Sequence, residues 1–403
     1  MFKTRLQFGV ANVIVSGHAR LRELKSKISN ARCVQDRCQC IIRRTDERRL
    51  EVMRTRLFSV KRWTPVLVLM LITAWPSGAF AGTISGRLSG PTVHVIKNGL
   101  TNPGGMTVNG NDVWVTNGAQ TTGGFVEEIN ATTGGILKVL TSSKYGFDGP
   151  DSDVVCGGNV WVANGGNPQF KHSGTSLTEI NSLTGQLMRI VEGIKYQFDS
   201  PISVTCNNNN VWVANQYGAT VTEVSAANGS LVRVLTGKKD GFTRADAVNS
   251  DANKIWIAGS NVTEVNARTG GVIRHLDAKS YGFNLAFSIV TDGKFVWVAN
   301  LAMGSLGSVT QINESTGALV KVISGAKYGF SEPDGIALDG AHVWVANYGY
   351  GHGGVTELSE TTGQLVSVFS EKHYPIRAPS QVAIVNGNAW IANSGGGITI
   401  FHN

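Results

Sequence analysis

The chain has 403 residues, 42% of them hydrophobic, with 49 glycines and a formal net charge of +8. That charge is confined to one end: residues 1–81 carry 16 basic and 5 acidic side chains, and the other 20 basic and 23 acidic residues leave a net −3. The larger part therefore lacks the basic footprint of a nucleic-acid binder, and no nucleic-acid partner is expected.

Met53 is followed by Arg54, Arg56, Lys61 and Arg62, an apolar run to Trp75, and the small-residue site Ala79-Phe80-Ala81. A positive segment, a short apolar stretch and an A-x-A site read as a secretory signal peptide at 53–81. A signal anchor is the weaker alternative, because a bilayer needs about 20 apolar residues. On this reading translation starts at Met53, residues 1–52 are an over-extended frame, and 82–90 is a linker. Cys33, Cys38 and Cys40 have no second pair or nearby His to complete a metal site. The exported part retains Cys156 and Cys206. They stand five and six residues before their tryptophans, which on one strand means opposite faces, so free thiols are expected.

From residue 91 onward the sequence repeats. Trp114, Trp161, Trp212, Trp256, Trp297, Trp344 and Trp390 are spaced by 47, 51, 44, 41, 47 and 46 residues. Each sits among short, β-branched runs bounded by Gly, Asp, Asn or Thr, the signature of hairpins. Four such runs per unit and seven units predict an all-β fold: a seven-bladed propeller of four-stranded antiparallel blades over 91–403. In the sixth unit the strands are placed at 334–338, 343–346, 355–358 and 365–369. A large residue eight before each Trp (Met106, Val204, Val382) alternates with a small one nine before (Gly105, Ser152, Ala247), as packed sheets require. Fourteen before each Trp stands an apolar plug such as Phe147 or Phe330.

The seventh unit ends after three strands. The segment 92–97, Thr-Val-His-Val-Ile-Lys, resembles the missing fourth, so an N-terminal strand is expected to complete the last blade and remove an exposed edge.

Binding residues concentrate in loops. Asn117, Asn164, Asn215, Asn300, Asn347 and Asn393 each follow a Trp by three residues, as a polar collar or, preferably, as caps of a turn every unit needs. Lys97, Lys144, Lys195, Lys239 and Lys327 accompany Tyr145, Tyr196, Tyr281, Tyr328 and Tyr374 in the inter-blade loops; their regularity favours a structural reading. What does not repeat is more informative. Asp153 fills a slot that is apolar in the other six units. Asp151, Asp246 and Asp334 begin inner strands, and Asn249 adds polarity to the fourth unit. These five are the expected ligand-binding residues. Asp153, Asp246 and Asp334, with His352, are candidate ligands for a divalent cation, Mg2+ or Ca2+. His352, His373 and Glu332 are candidate acid–base residues, and His172 lies in the longest loop of the second unit.

The repeats Trp-Val-Ala-Asn…Val-Thr-Glu…Thr-Gly at Trp344–Gly363 and Trp161–Gly185 resemble the NHL/YVTN-type bacterial propellers, which shade into the streptogramin (virginiamycin B) lyase-like family. That resemblance implies the propeller fold and, in the lyase-like members, metal-assisted opening of a cyclic depsipeptide by C–O elimination with His and Glu on the loop face. The sequence thus supports an exported, monomeric binding scaffold for a protein, glycan or small molecule, with no transmembrane anchor after signal cleavage. The alternative is a divalent-metal-assisted lyase or lactonase.

Overall fold

In this computed structural model residues 91–97, 99–118, 123–167, 174–349 and 353–402 are described. The leader, signal and linker assignments at 1–90, and His172 and His352, lie outside the described residues.

Period-2 alternation and β-branched residues make each unit four short strands, and these pair with one another in sequence order. Blade 3 runs Pro201–Asn207, Asn210–Asn215, Thr220–Ser225 and Leu231–Thr236. Trp212 faces Thr205 on one neighbour and Glu223 on the other. Blade 6 runs Pro333–Leu338, His342–Asn347, Gly354–Ser359 and Leu365–Ser370, within one residue of the expected limits. Seven such four-stranded antiparallel sheets form, and inner strands of consecutive blades pack together, the seventh against the first. Thr92–Ile96 supplies the outermost strand of the last blade, pairing antiparallel with Ile398–His402 from Thr92 opposite His402 to Ile96 opposite Ile398. Closure by the N-terminal strand is therefore as the sequence predicted.

All seven Trp side chains are at most 1% exposed, and the plug residues Leu100, Phe147, Phe198, Phe242, Phe283, Phe330 and Ile376 are buried beside them. Each seam between blades is one apolar cluster; that of blades 2 and 3 joins Trp161 and Leu177 to Phe198, Val204 and Val224. On the third strands of blades 1 to 4 a buried Glu faces a basic residue of the fourth: Glu179 bonds Arg189, and Glu264 meets Arg274 at 2.6 Å. In those blades the Glu of the Thr-Glu repeat is one half of a cross-strand ion pair; in blade 6 Glu357 faces Ser367 instead.

Cys156 and Cys206 form a disulfide, with Cα atoms 5.5 Å apart, and this corrects the expectation of free thiols. Within one strand, neighbours point to opposite faces. Adjacent blades, however, meet through opposite faces, so partners across a seam must differ by one step. The Ser203 hydroxyl of blade 3, nine before its Trp, accepts from the amide of Val248, eight before the next. The Thr205 and Ser250 hydroxyls, seven and six before theirs, lie 3.1 Å apart. The five-and-six offset of the cysteines is the arrangement that brings them together.

Candidate functional site at the channel mouth

The position ten residues before each Trp decides what faces the channel. In blades 2, 3, 5, 6 and 7 the ladder between the first two strands skips it, leaving Asp151, Ile202, Phe287, Asp334 and Ser380 as bulged residues. A bulge leaves one residue unpaired and re-aims its side chain. In blade 4 the strand starts one residue later, after Asp246, and in blade 1 Gly104 falls within a wider irregularity. All seven residues of this register line one cavity of about 450 Å3 at the loop face. Acids stand in blades 2, 4 and 6; Gly104, Ile202, Phe287 and Ser380 stand between them. The loops after the Trp strands complete the wall with Gly118, Gly166, Gln216, Tyr348 and Ser394. Both loop sets are tied together: the amide of Gln216 donates to Ser200 and that of Tyr348 to Glu332, each at 3.0 Å.

The three acids are not equivalent. Asp246 is covered, and its carboxylate accepts from Arg244 Nε at 2.6 Å and Gln216 Nε2 at 2.8 Å. Burial raises its pKa, and those two partners pull it back. Asp151 is exposed toward the channel but has protein all around it, and this confinement pushes its pKa up to about 7. Asp334 is pushed to about 8, first by burial and then by the negative charges of Glu332 and Asp151. Asp151 and Asp334 have no cationic side chain within ion-pair distance among the described residues.

Other expected site residues lie elsewhere. Asp153 is only 7% exposed and packs between blades 1 and 2, where a Cβ on Gly105 would lie 2.6 Å from its Oδ1. Among the described residues neither of its oxygens has a hydrogen-bond partner of good geometry. Burial holds its pKa well above the carboxylate range, and the nearby amides of Thr107 and Asp153 only soften the shift. It is not part of the cavity wall, and neither is Asn249, half-buried within the inner strand of blade 4. Glu332 has a φ of 53°, accepts from the Gly304 amide at 3.2 Å, and bears on the site through its charge beside Asp334. His373 is exposed between blades 6 and 7, its Nδ1 3.1 Å from the Ser370 hydroxyl. Among the described residues no three His, Cys, Asp or Glu side chains converge to hold a metal ion; His352, expected beside Asp153, Asp246 and Asp334, lies outside them.

The repeated polar residues have structural work. Asn215 Nδ2 donates to the hydroxyls of Thr220 and Thr222 at 3.0 Å each, and Thr222 donates to the Tyr196 carbonyl at 2.7 Å. Asn117 and Asn393 accept from amides of the preceding inter-blade loop, at Thr101 and Arg377. The Asn thus staples its strand to the third strand or to the neighbouring loop, and in blades 6 and 7 it also donates to the carbonyl two residues before it, at Val345 and Ile391. Blade 4 has Gly259 at this position, and there Thr263 contacts His275 Nδ1 at 3.2 Å. In the lysine–tyrosine crown, Tyr196 stacks on Phe198 at 5.3 Å, bonds the Gly229 carbonyl and carries Lys195 over its ring.

Asp151, Asp246 and Asp334 were legible as acids opening inner strands. Ile202, Phe287, Gln216 and Arg244 were not singled out, although tabulating the residue ten before each Trp would have found the first two. No family model and no curated protein matches this chain. Among solved structures it is similar to BamB from Moraxella catarrhalis, with 13% identity, 74% of this chain and 82% of that chain covered, and a TM-score of 0.49. The seven-bladed architecture stands on the strand pairing itself.

Proposed function

We propose that this protein is an exported, monomeric β-propeller scaffold that binds a ligand at its channel mouth, and that the ligand presents a positive charge to Asp151 and Asp334. The observation that carries the reading is the ring of seven residues in one register, five of them bulged: three of the seven are aspartates, and among the described residues two of these have no counter-charge. Ile202 and Phe287, between the acids, offer apolar contact to the rest of a small molecule. Export is supported by the signal-like segment at 53–81 and by the Cys156–Cys206 disulfide, which suits an oxidising compartment. The kinship with YVTN-type propellers carried by the repeats belongs to this reading, as the frame that presents the variable mouth.

The test is calorimetric titration of the mature protein with spermidine, as a model multivalent amine, between pH 6 and 9. Carboxyl groups whose pKa is raised become negative only as pH passes the raised value. Binding should strengthen through pH 7–8 and be lost in Asp151→Asn/Asp334→Asn. Binding that ignores the double substitution, or no binding at any pH, refutes the cationic site. Mg2+-dependent turnover of a lactone or depsipeptide would replace the scaffold reading with a metal-assisted lyase.

A further inference from the structure

Blade 1 departs from the other six blades at a buried position opposite the residue that follows Trp. There blades 2 to 7 carry Thr178, Thr222, Thr263, Thr310, Thr356 and Thr399. These hydroxyls are fully covered, and those of Thr178, Thr222, Thr310, Thr356 and Thr399 donate to a carbonyl of the preceding inter-blade loop. Blade 1 has Glu127 instead, 2% exposed, with no partner for its Oε2 among the described residues. It shares its face of the third strand with Phe125 and Ile129. Those two pack with Ile96, Leu100, Trp390 and Ile398 in the seam that closes the ring between blades 7 and 1.

We propose that Glu127 makes closure of the ring respond to pH: the seam holds while this carboxyl is neutral and loosens when it ionises. A protonated carboxyl is a modest polar group in an apolar seam, whereas a carboxylate there needs a cation or several donors. The elements packed around it bring the titratable side chains His94 and Lys97 from the closing strand and its exit, Asp112, Glu128 and Lys138 from blade 1, and His402 from blade 7. Lys138 is engaged by Glu128 on the opposite face. None of these charges bears on Glu127; burial alone pushes its pKa to about 7, a limited rise for a group shut off from solvent but close under the surface. The location gives the charge leverage. Residues 92–96 belong to the sheet of blade 7 and lead directly into blade 1, so parting this seam and releasing the closing strand are one event.

The sign follows from linkage. A carboxyl whose pKa is raised in the closed state stabilises closure fully below its free value, and that contribution is lost as pH rises to the raised value. The opening constant should therefore increase about tenfold per pH unit from about 4.5 to about 7, and level off above. The experiment is hydrogen exchange of the full mature protein at pH 5, 6, 7 and 8, corrected for intrinsic rates, followed at residues 92–96 and 398–402. The fourth strands of blades 2 and 3 serve as internal reference. Wild type should show about a 100-fold rise in opening confined to the closing seam, and E127Q and E127T should show none. An unchanged pH response in both variants overturns the proposal. So does a response equal at all seams, which would assign it to the acids of the other blades. Should neither variant fold, carbon-detected NMR titration of Glu127 in wild type decides, since a midpoint near 4.5 also overturns it.

Discussion

The disulfide provides the sharpest thermodynamic test. Cys156 and Cys206 are 50 residues apart in sequence and join the inner strands of blades 2 and 3. Cross-linking a chain over that length removes loop-closure entropy from the unfolded ensemble worth about 4 kcal/mol at 25 °C. Measured values tend to run lower, so a loss of about 2–4 kcal/mol on reduction is expected. Cys156 is 2% exposed and belongs to the apolar cluster of its seam, so substitution would add a packing loss to the entropic one. Reducing the wild-type protein avoids that confusion. Guanidinium unfolding of oxidised and reduced samples, followed by tryptophan fluorescence, should show a lower midpoint after reduction. Hydrogen exchange should rise first in the inner strands of blades 2 and 3. Coincident unfolding curves, or two titratable thiols in denatured, unreduced protein, would refute the reasoning.

Two further expectations concern the frame. Ile96 is 3% exposed and packs with residues of blades 1 and 7, so Ile96→Ala should cost about 2–5 kcal/mol in equilibrium unfolding. A negligible change would show that the closing strand adds little. Asn215→Ala removes two buried hydrogen bonds and should cost about 1–3 kcal/mol. A double-mutant cycle with Thr222→Ala should give a coupling of at least about 0.5 kcal/mol, and strict additivity would disprove the staple.

The sequence and the site part company at identifiable residues. Acids opening the inner strands could be read directly, because Asp151 and Asp334 interrupt a pattern otherwise set by packing. Their common direction could not be read, because it depends on a skipped rung in the ladder rather than on residue type. Asp153 shows the converse: its sequence slot was conspicuous, yet the slot faces a seam, where Gly105 leaves room for it. The ion pairs of the third and fourth strands and the Asn–Thr staples likewise join residues whose spacing alone names no partner.

By itself, the sequence determined the number of blades, their strand order, the tryptophan and phenylalanine core, and the loan of residues 92–96 to the last blade. Those features follow from short-range periodicity and from the cost of an unpaired sheet edge, and both are written along the chain. The tertiary structure alone decided the disulfide, the ring of side chains at the mouth and the isolation of Glu127 in the closing seam. Each of these depends on which face of one blade meets which face of the next, a relation that exists only once the sheets are stacked about an axis.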